Sequence, residues 1–128
     1  MISVRALVIV TMVLGGVGSV WAQAVTPDSL RRAELGTASA QYDLGVAYAQ
    51  GLDVPQDYAR AAAWYRKAAE QGDARAQTNL GGMYGNGQGV ARDDAQAAVW
   101  YRKAAEQGFA PAKTELDAMK SSGKAATR

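Results

Sequence analysis

Apolar residues follow two different patterns along the chain. From Ala6 to Val20 they form an almost unbroken run, whereas after residue 36 they recur at helical spacing. Ala40, Leu44 and Tyr48 fall at positions i, i+4 and i+8, on one stripe of a helix. A second stripe follows the helix-breaking segment from Gly51 to Pro55, and its members are Ala61, Tyr65, Ala68 and Ala69. This pattern predicts a unit of helix, turn and helix.

The unit is repeated. The segment from Trp64 to Gly72 reads WYRKAAEQG and returns unchanged from Trp100 to Gly108, at an offset of 100 minus 64, or 36 residues. Leu44 and Leu80 keep the same offset upstream. Because a period of about 20 to 50 residues is typical of solenoids, the sequence predicts an all-α array of stacked helix pairs.

Small and acidic residues at fixed positions indicate how these helices begin and pack. Gly45 and Gly81 lie in mid-helix, where glycine costs about 1 kcal/mol relative to alanine. We expect close helix crossings to offset that cost. Asp57 and Asp93 precede the second helix of each unit, where a carboxylate caps free backbone N–H groups.

The repeat also sets the predicted boundaries. Unit 1 covers residues 36–71 and unit 2 covers residues 72–107. Stacked repeats usually need about three units, so we expect capping helices at both ends, at residues 26–35 and 108–120. In the second of these Lys120 replaces the tyrosine of the repeat, which suits a polar outer face. Residues 121–128 have no apolar anchor and are predicted to be a flexible tail.

The first 22 residues have the composition of a secretory signal peptide. Arg5 precedes the apolar run, and small residues follow it. We favour cleavage after Ala22, with Ala24 as the alternative. The run falls short of the roughly 20 apolar residues of a bilayer span, so we predict a periplasmic or secreted protein with no stable membrane anchor after cleavage. An uncleaved transmembrane anchor is the competing interpretation.

Charge and composition narrow the possible functions. Of 14 basic residues only Arg5 lies in the signal peptide, which leaves 13 minus 12, or +1, without a clustered basic face. We therefore expect no nucleic-acid partner. Histidine and cysteine are both absent, which excludes Ser-His-Asp and Cys-His catalysis and the usual zinc sites. We predict no catalytic residues, no metal and no cofactor.

Carboxylates leave one alternative open. Asp57 with Glu70, or Asp93 with Glu106, could act as acid and base in a cell-envelope hydrolase. Both pairs recur with the repeat, however, and a structural role is needed in every repeat whereas a catalytic role is needed once. We expect the glutamates to pair instead with the neighbouring basic residues, such as Lys67.

The spaced pattern from Ala76 to Gly108 resembles the Sel1-like repeat, a relative of the tetratricopeptide repeat. The match extends from Ala40, with Asp53 standing where the second copy has Gly89. The family glycine implies positive φ there, a conformation that Asp tolerates better than most residues. The resemblance implies an α-solenoid whose first helices line a concave face that binds a peptide or helix.

The predicted partner-binding residues occupy that face. They are Ser39, Tyr42, Val46 and Gln50 in unit 1, Arg75, Thr78, Gly82 and Asn86 in unit 2, and Thr114 in the C-terminal cap. Tyr42 and Val46 have a second interpretation, in which the N-terminal helix covers them.

The paired aromatic residues Trp64 and Trp100, each followed by a tyrosine, could stack on sugars. We favour core packing, with one ring inside its own helix pair and the other against the next pair. The predicted function is an exported adaptor that binds a protein or peptide without turnover.

Overall fold

The structure, a computed structural model, describes residues 25–124. The predicted signal peptide and residues 125–128 lie outside this range. Within it the chain forms six helices and no strand, which confirms the all-α prediction. The helices are α1 (Pro27–Glu34), α2 (Ala38–Gln50), α3 (Tyr58–Glu70), α4 (Ala74–Asn86), α5 (Asp94–Glu106) and α6 (Ala110–Ser121).

These helices stack as a solenoid of two pairs with a single helix at each end. Helix α2 packs on α3 and α4 packs on α5, and contacts between α3 and α4 join the pairs. Helix α1 lies against α2, and α6 lies against α5. The predicted array with terminal capping helices is therefore confirmed.

Capping follows the acidic pattern of the sequence. The backbone N–H of Arg60 donates to Asp57 at 3.1 Å, and that of Gln96 donates to Asp93 at 3.0 Å. The two aspartates are the N-caps of α3 and α5, as predicted. Thr26 caps α1 through a reciprocal pair of hydrogen bonds with Ser29.

The two mid-helix glycines lie where the helices of each pair cross. A Cβ atom at Gly45 would overlap the ring of Tyr65, and one at Gly81 would lie 3.0 Å from the ring of Tyr101. Both tyrosines are buried. The expected close crossings are thus present, and in each pair a tyrosine ring occupies the space that the glycine leaves.

Asp53 and Gly89 occupy equivalent turns in different surroundings. Both have positive φ, 60° for Asp53 and 70° for Gly89, as the sequence predicts. A Cβ atom at Gly89 would overlap the backbone of Tyr58 at the start of α3. Within residues 25–124 the short α1 precedes unit 1, and there the Asp53 carboxylate accepts a hydrogen bond from the backbone N–H of Val25 at 3.4 Å. The second turn therefore excludes a side chain, whereas the first holds one.

Buried glutamines connect successive helices, a feature the sequence pattern does not predict. Gln41 donates to the carbonyl of Ala33 at 3.0 Å, and Gln71 donates to Oε1 of Gln41 at 2.7 Å. One repeat later Gln77 donates to Ala69 and accepts from Gln107, at 3.1 and 2.9 Å. Gln41 and Gln77 are each only 4% exposed. Each bonded set thus joins one unit to the element before it.

Trp64 is half-buried and Trp100 is buried, and each packs against the preceding element rather than the next one. Trp64 packs against the cluster of α1 and α2, and Trp100 belongs to the cluster built mainly from α3 and α4. Lys67 and Lys103 lie over these indole rings, 4.4 and 4.6 Å from the ring centroids. The expected ion pairs with the glutamates that end α3 and α5 are absent from residues 25–124. That prediction is wrong because a cation is attracted to the electron-rich ring face beside it.

Candidate functional site

An open groove of about 380 Å³ runs over the face of α4. Most of its lining residues are small, polar or tyrosine, and only one is charged. The lining residues are Ala49, Tyr58, Tyr65, Thr78, Asn79, Gly82, Met83, Asn86, Gln88, Tyr101 and Glu115. Because they come from α2 through α6, the groove exists only in the stacked array.

Helix α4 provides the floor of the groove. Thr78, Gly82 and Asn86 follow one another at intervals of four residues, which places them along one face of the helix. Thr78 donates its hydroxyl to the carbonyl of Ala74 at 2.7 Å, so its own polar group is satisfied within the helix. A Cβ atom at Gly82 would lie 3.4 Å from the hydroxyl of Tyr101. The absence of a side chain at Gly82 leaves room for a ligand above that hydroxyl.

Two core tyrosines bring their hydroxyl ends to the groove. Burial raises the pKa of Tyr65 to about 12; a hydrogen bond with Asn79 opposes this effect, and the neighbouring Tyr42 adds to it. Burial likewise raises the pKa of Tyr101 to about 12, and the negative charge of Glu115 contributes in the same direction. Both hydroxyls therefore remain protonated at neutral pH and can donate and accept hydrogen bonds.

The structure brings three of the nine predicted partner-binding residues together in this groove. They are Thr78, Gly82 and Asn86, all on α4. Ser39, Gln50 and Thr114 are exposed but lie outside the lining of the groove.

Tyr42 and Val46 are half-buried against the cluster that joins the two units. Helix α1 instead packs through Leu30 on the cluster of Ala40 and Leu44. The two residues are therefore covered by the junction between units and not by the N-terminal helix.

Arg75, the remaining predicted residue, is held at the N-terminal end of α4. Its guanidinium donates to Asp73 at 2.7 Å and lies 4.1 Å from the centroid of the Tyr42 ring. Burial by itself would raise the pKa of Asp73, but hydrogen bonds from Arg75 and from the backbone N–H of Ala76 lower it below its usual value. The charge of Arg75 is thus balanced locally.

The sequence pattern does not predict that two core tyrosines and the polar residues beside them line the groove. Tyr65 and Tyr101 recur with the repeat, a pattern that predicts core packing alone, although both also line the groove. Asn79 and Glu115 are also one repeat apart, since 115 minus 79 is 36, and each lies beside one of these tyrosines. A polar residue at the same position of α4 and α6, Asn79 and then Glu115, is the feature of the sequence that indicates this part of the groove.

The carboxylate pairs of the alternative hydrolase do not form a site. Asp57 caps the first turn of α3 and Glu70 is the last residue of the same 13-residue helix. At 1.5 Å per residue they are about 20 Å apart. Asp93 and Glu106 flank α5 in the same way. Glycoside hydrolysis needs carboxyl groups within roughly 5 to 10 Å, so neither pair can act as acid and base together.

Residues 25–124 contain no group of acidic side chains arranged to hold a metal ion. None of the helices there has the length and apolarity to cross a bilayer.

Comparisons with known proteins agree with this architecture. The chain resembles the crystal structure of c5321, a protective antigen present in uropathogenic Escherichia coli strains displaying an SLR fold, with 45% identity over 74% of this chain and a TM-score of 0.73. It also resembles a Sel1 repeat protein from Oxalobacter formigenes, with 46% identity over 71% of this chain and a TM-score of 0.70. The matched part is 20% and 26% of those longer chains, respectively. No curated protein sequence matches significantly.

The Sel1 repeat profile matches residues 38–73 and 74–109, two residues later than the unit boundaries predicted from the sequence. Together these segments cover more than half of the chain, and repeats of this kind typically form non-catalytic scaffolds for protein–protein interaction. The chain belongs to the Sel1 repeat family.

Proposed function

We propose that the chain is an exported scaffold that holds a protein or peptide in the groove over α4 without catalysing a reaction. The observation that carries this proposal is the chemistry of the groove. Its floor presents the amide groups of Asn79 and Asn86 beside the small residue Gly82, and the Thr78 hydroxyl, which donates to Ala74, can still accept a hydrogen bond. Such groups suit the hydrogen-bonding N–H and C=O groups of a polypeptide backbone.

Family membership supports the same proposal, since Sel1 repeats usually mediate protein–protein interaction. The separation of the carboxylate pairs along α3 and α5 removes the strongest catalytic candidates. A scaffold role needs an array with an accessible face, and residues 25–124 have this architecture.

A groove-blocking substitution tests the proposal. Thr78→Arg places a long charged side chain in the groove, whereas Thr114→Arg makes the same change on α6 outside the groove lining. Each immobilised variant is incubated with an envelope extract of the host, and bound proteins are quantified by mass spectrometry. We expect Thr78→Arg to lower recovery of the partner about tenfold, equivalent to about 1.4 kcal/mol, with little change for Thr114→Arg. Equal recovery from both variants would contradict the proposal.

Export is proposed from residues 1–22, which have a basic start and an apolar run. Fusing residues 1–30 to alkaline phosphatase tests it, because that enzyme needs disulfides that form outside the cytoplasm. We expect activity from this fusion and none from a fusion that begins at residue 23. N-terminal sequencing of the mature protein would show whether cleavage follows Ala22 or Ala24, and equal activity of the two fusions would exclude export by this segment.

A further inference from the structure

The groove has an uneven charge distribution. Glu115 is the only charged residue among its lining residues, and no lysine or arginine is among them. Glu115 is exposed on α6 and forms no ion pair within residues 25–124. A ligand that enters the groove therefore meets one uncompensated carboxylate.

Several basic side chains of the described residues are engaged with other groups. Five of them lie over aromatic rings, at 4.1 to 5.6 Å from the ring centroids. Arg75, which starts α4, is also paired with Asp73 at 2.7 Å. No basic side chain within residues 25–124 forms an ion pair with Glu115.

One hydrogen-bond acceptor, the hydroxyl of Tyr101, lies beside Glu115 in the groove. The carboxylate lies close enough to Tyr101 to raise the pKa of its hydroxyl, and that hydroxyl oxygen can accept a hydrogen bond. The equivalent position one repeat earlier holds Asn79, beside Tyr65. An ammonium or guanidinium group carries only donors, so it matches this arrangement, whereas a carboxylate on the ligand would be repelled by Glu115.

The spacing of amides on α4 matches an extended chain. Asn79 and Asn86 are separated by 86 minus 79, or 7 residues, which is about 10.5 Å along a helix. An extended peptide rises about 3.3 Å per residue, so a segment of about three residues spans the distance between the two amides. Both amides line the groove.

We infer that the groove selects an extended peptide segment carrying a lysine or arginine whose side chain binds Glu115, with Asn79 and Asn86 contacting its backbone. This inference rests on the proposed function, because it assumes that a polypeptide occupies the groove. It adds the chemistry of the partner: a basic side chain at one defined position, in a segment without secondary structure of its own.

A displayed library of random heptapeptides tests the inference. The full chain and three variants are used for selection: Glu115→Gln, Glu106→Gln as a matched control at an exposed site outside the groove, and Thr78→Arg as the blocked groove. We expect lysine and arginine to be enriched about fivefold at one peptide position on the unmodified chain, since an exposed ion pair contributes up to about 1 kcal/mol. Glu106→Gln should keep that enrichment, and Glu115→Gln should lose it while retaining the same thermal midpoint.

The outcomes separate the two proposals. Peptides selected equally well by the Thr78→Arg variant, or no selected peptides, would overturn the groove as a binding site and the inference with it. Peptides that require an open groove but show no preference for basic residues, or keep that preference on Glu115→Gln, would overturn the inference alone.

Discussion

The side-chain amide of Gln107 donates a hydrogen bond to Oε1 of Gln77 at 2.9 Å. Gln77 is 4% exposed and in turn donates to the carbonyl of Ala69 at 3.1 Å. The bonds cross from α3 through α4 to the end of α5, so they bind the two units to each other. Gln41 makes the equivalent bonds between α1 and the first unit.

Gln77→Ala should lower the free energy of unfolding by about 1 to 3 kcal/mol, because it removes two hydrogen bonds, to Ala69 and from Gln107, each contributing about 0.5 to 1.5 kcal/mol. Gln96→Ala is the control, since Gln96 is exposed on α5, and its effect should stay within about 0.5 kcal/mol. Urea unfolding followed by circular dichroism measures both. A loss for Gln77→Ala no larger than that of the control would show that these hydrogen bonds do not stabilise the array.

Gly45→Ala should destabilise the chain even though alanine is the better helix former. The added methyl group would overlap the Tyr65 ring, and such overpacking typically costs about 1 to 3 kcal/mol. At Gly85 the nearest atom to an added Cβ is 3.8 Å away, so Gly85→Ala should instead gain up to about 1 kcal/mol. Thermal melts of the two variants should therefore shift in opposite directions; a gain from Gly45→Ala would show that the crossing can relax.

Exchanging the turn residues should have unequal effects. Gly89→Asp places a side chain against the Tyr58 backbone and should cost about 3 kcal/mol. Asp53→Gly restores the residue of the second unit in the first, and the change should be about 1 kcal/mol or less. Chemical denaturation of the two single variants measures the difference. Equal costs would mean that the turn conformation, and not the packing of one unit on the other, dictates glycine.

High pH should destabilise the chain through its two buried phenols. The folded state raises the pKa of Tyr65 and Tyr101 from the usual value of 10.0 to about 12. The folded state favours the neutral form of these two phenols. Their contribution to the free energy of unfolding is therefore fully present below pH 10 and is lost as the pH rises through the folded-state pKa of about 12. Tyr65→Phe should reduce this loss, and absorbance near 295 nm should show the corresponding late ionisation. Ionisation of Tyr65 and Tyr101 at the ordinary pKa of tyrosine would contradict the effect of their burial.

Most of the fold can be predicted from the sequence because each recurring position must fit the same structural role in both units. Every position that recurs, such as Gly45 with Gly81 or Asp57 with Asp93, can be assigned a role common to both units. The structure bears out those roles. The glutamine bonds could not be read from the pattern, since a polar residue in a helix is normally expected at the surface.

The groove was harder to predict than the fold. Helical geometry predicts which face of α4 is open to a partner, and the three residues predicted on that face, Thr78, Gly82 and Asn86, line the groove. The same geometry could not show that Tyr42 and Val46 are covered by the neighbouring unit, because that depends on how one pair stacks on the next. Tyr101 was equally hard to place, because its ring packs in the core while its hydroxyl end lines the groove.

Site-specific photocrosslinking tests the central claim most directly. A photoreactive amino acid is placed at Asn86, which lines the groove, and in a matched variant at Val99, which is 39% exposed on α5 outside the groove lining. Irradiation in cells that express the partner should yield a discrete crosslinked protein from position 86 and none from position 99. Crosslinking from position 99 alone, or equally from both positions, would contradict a scaffold that binds its partner in this groove.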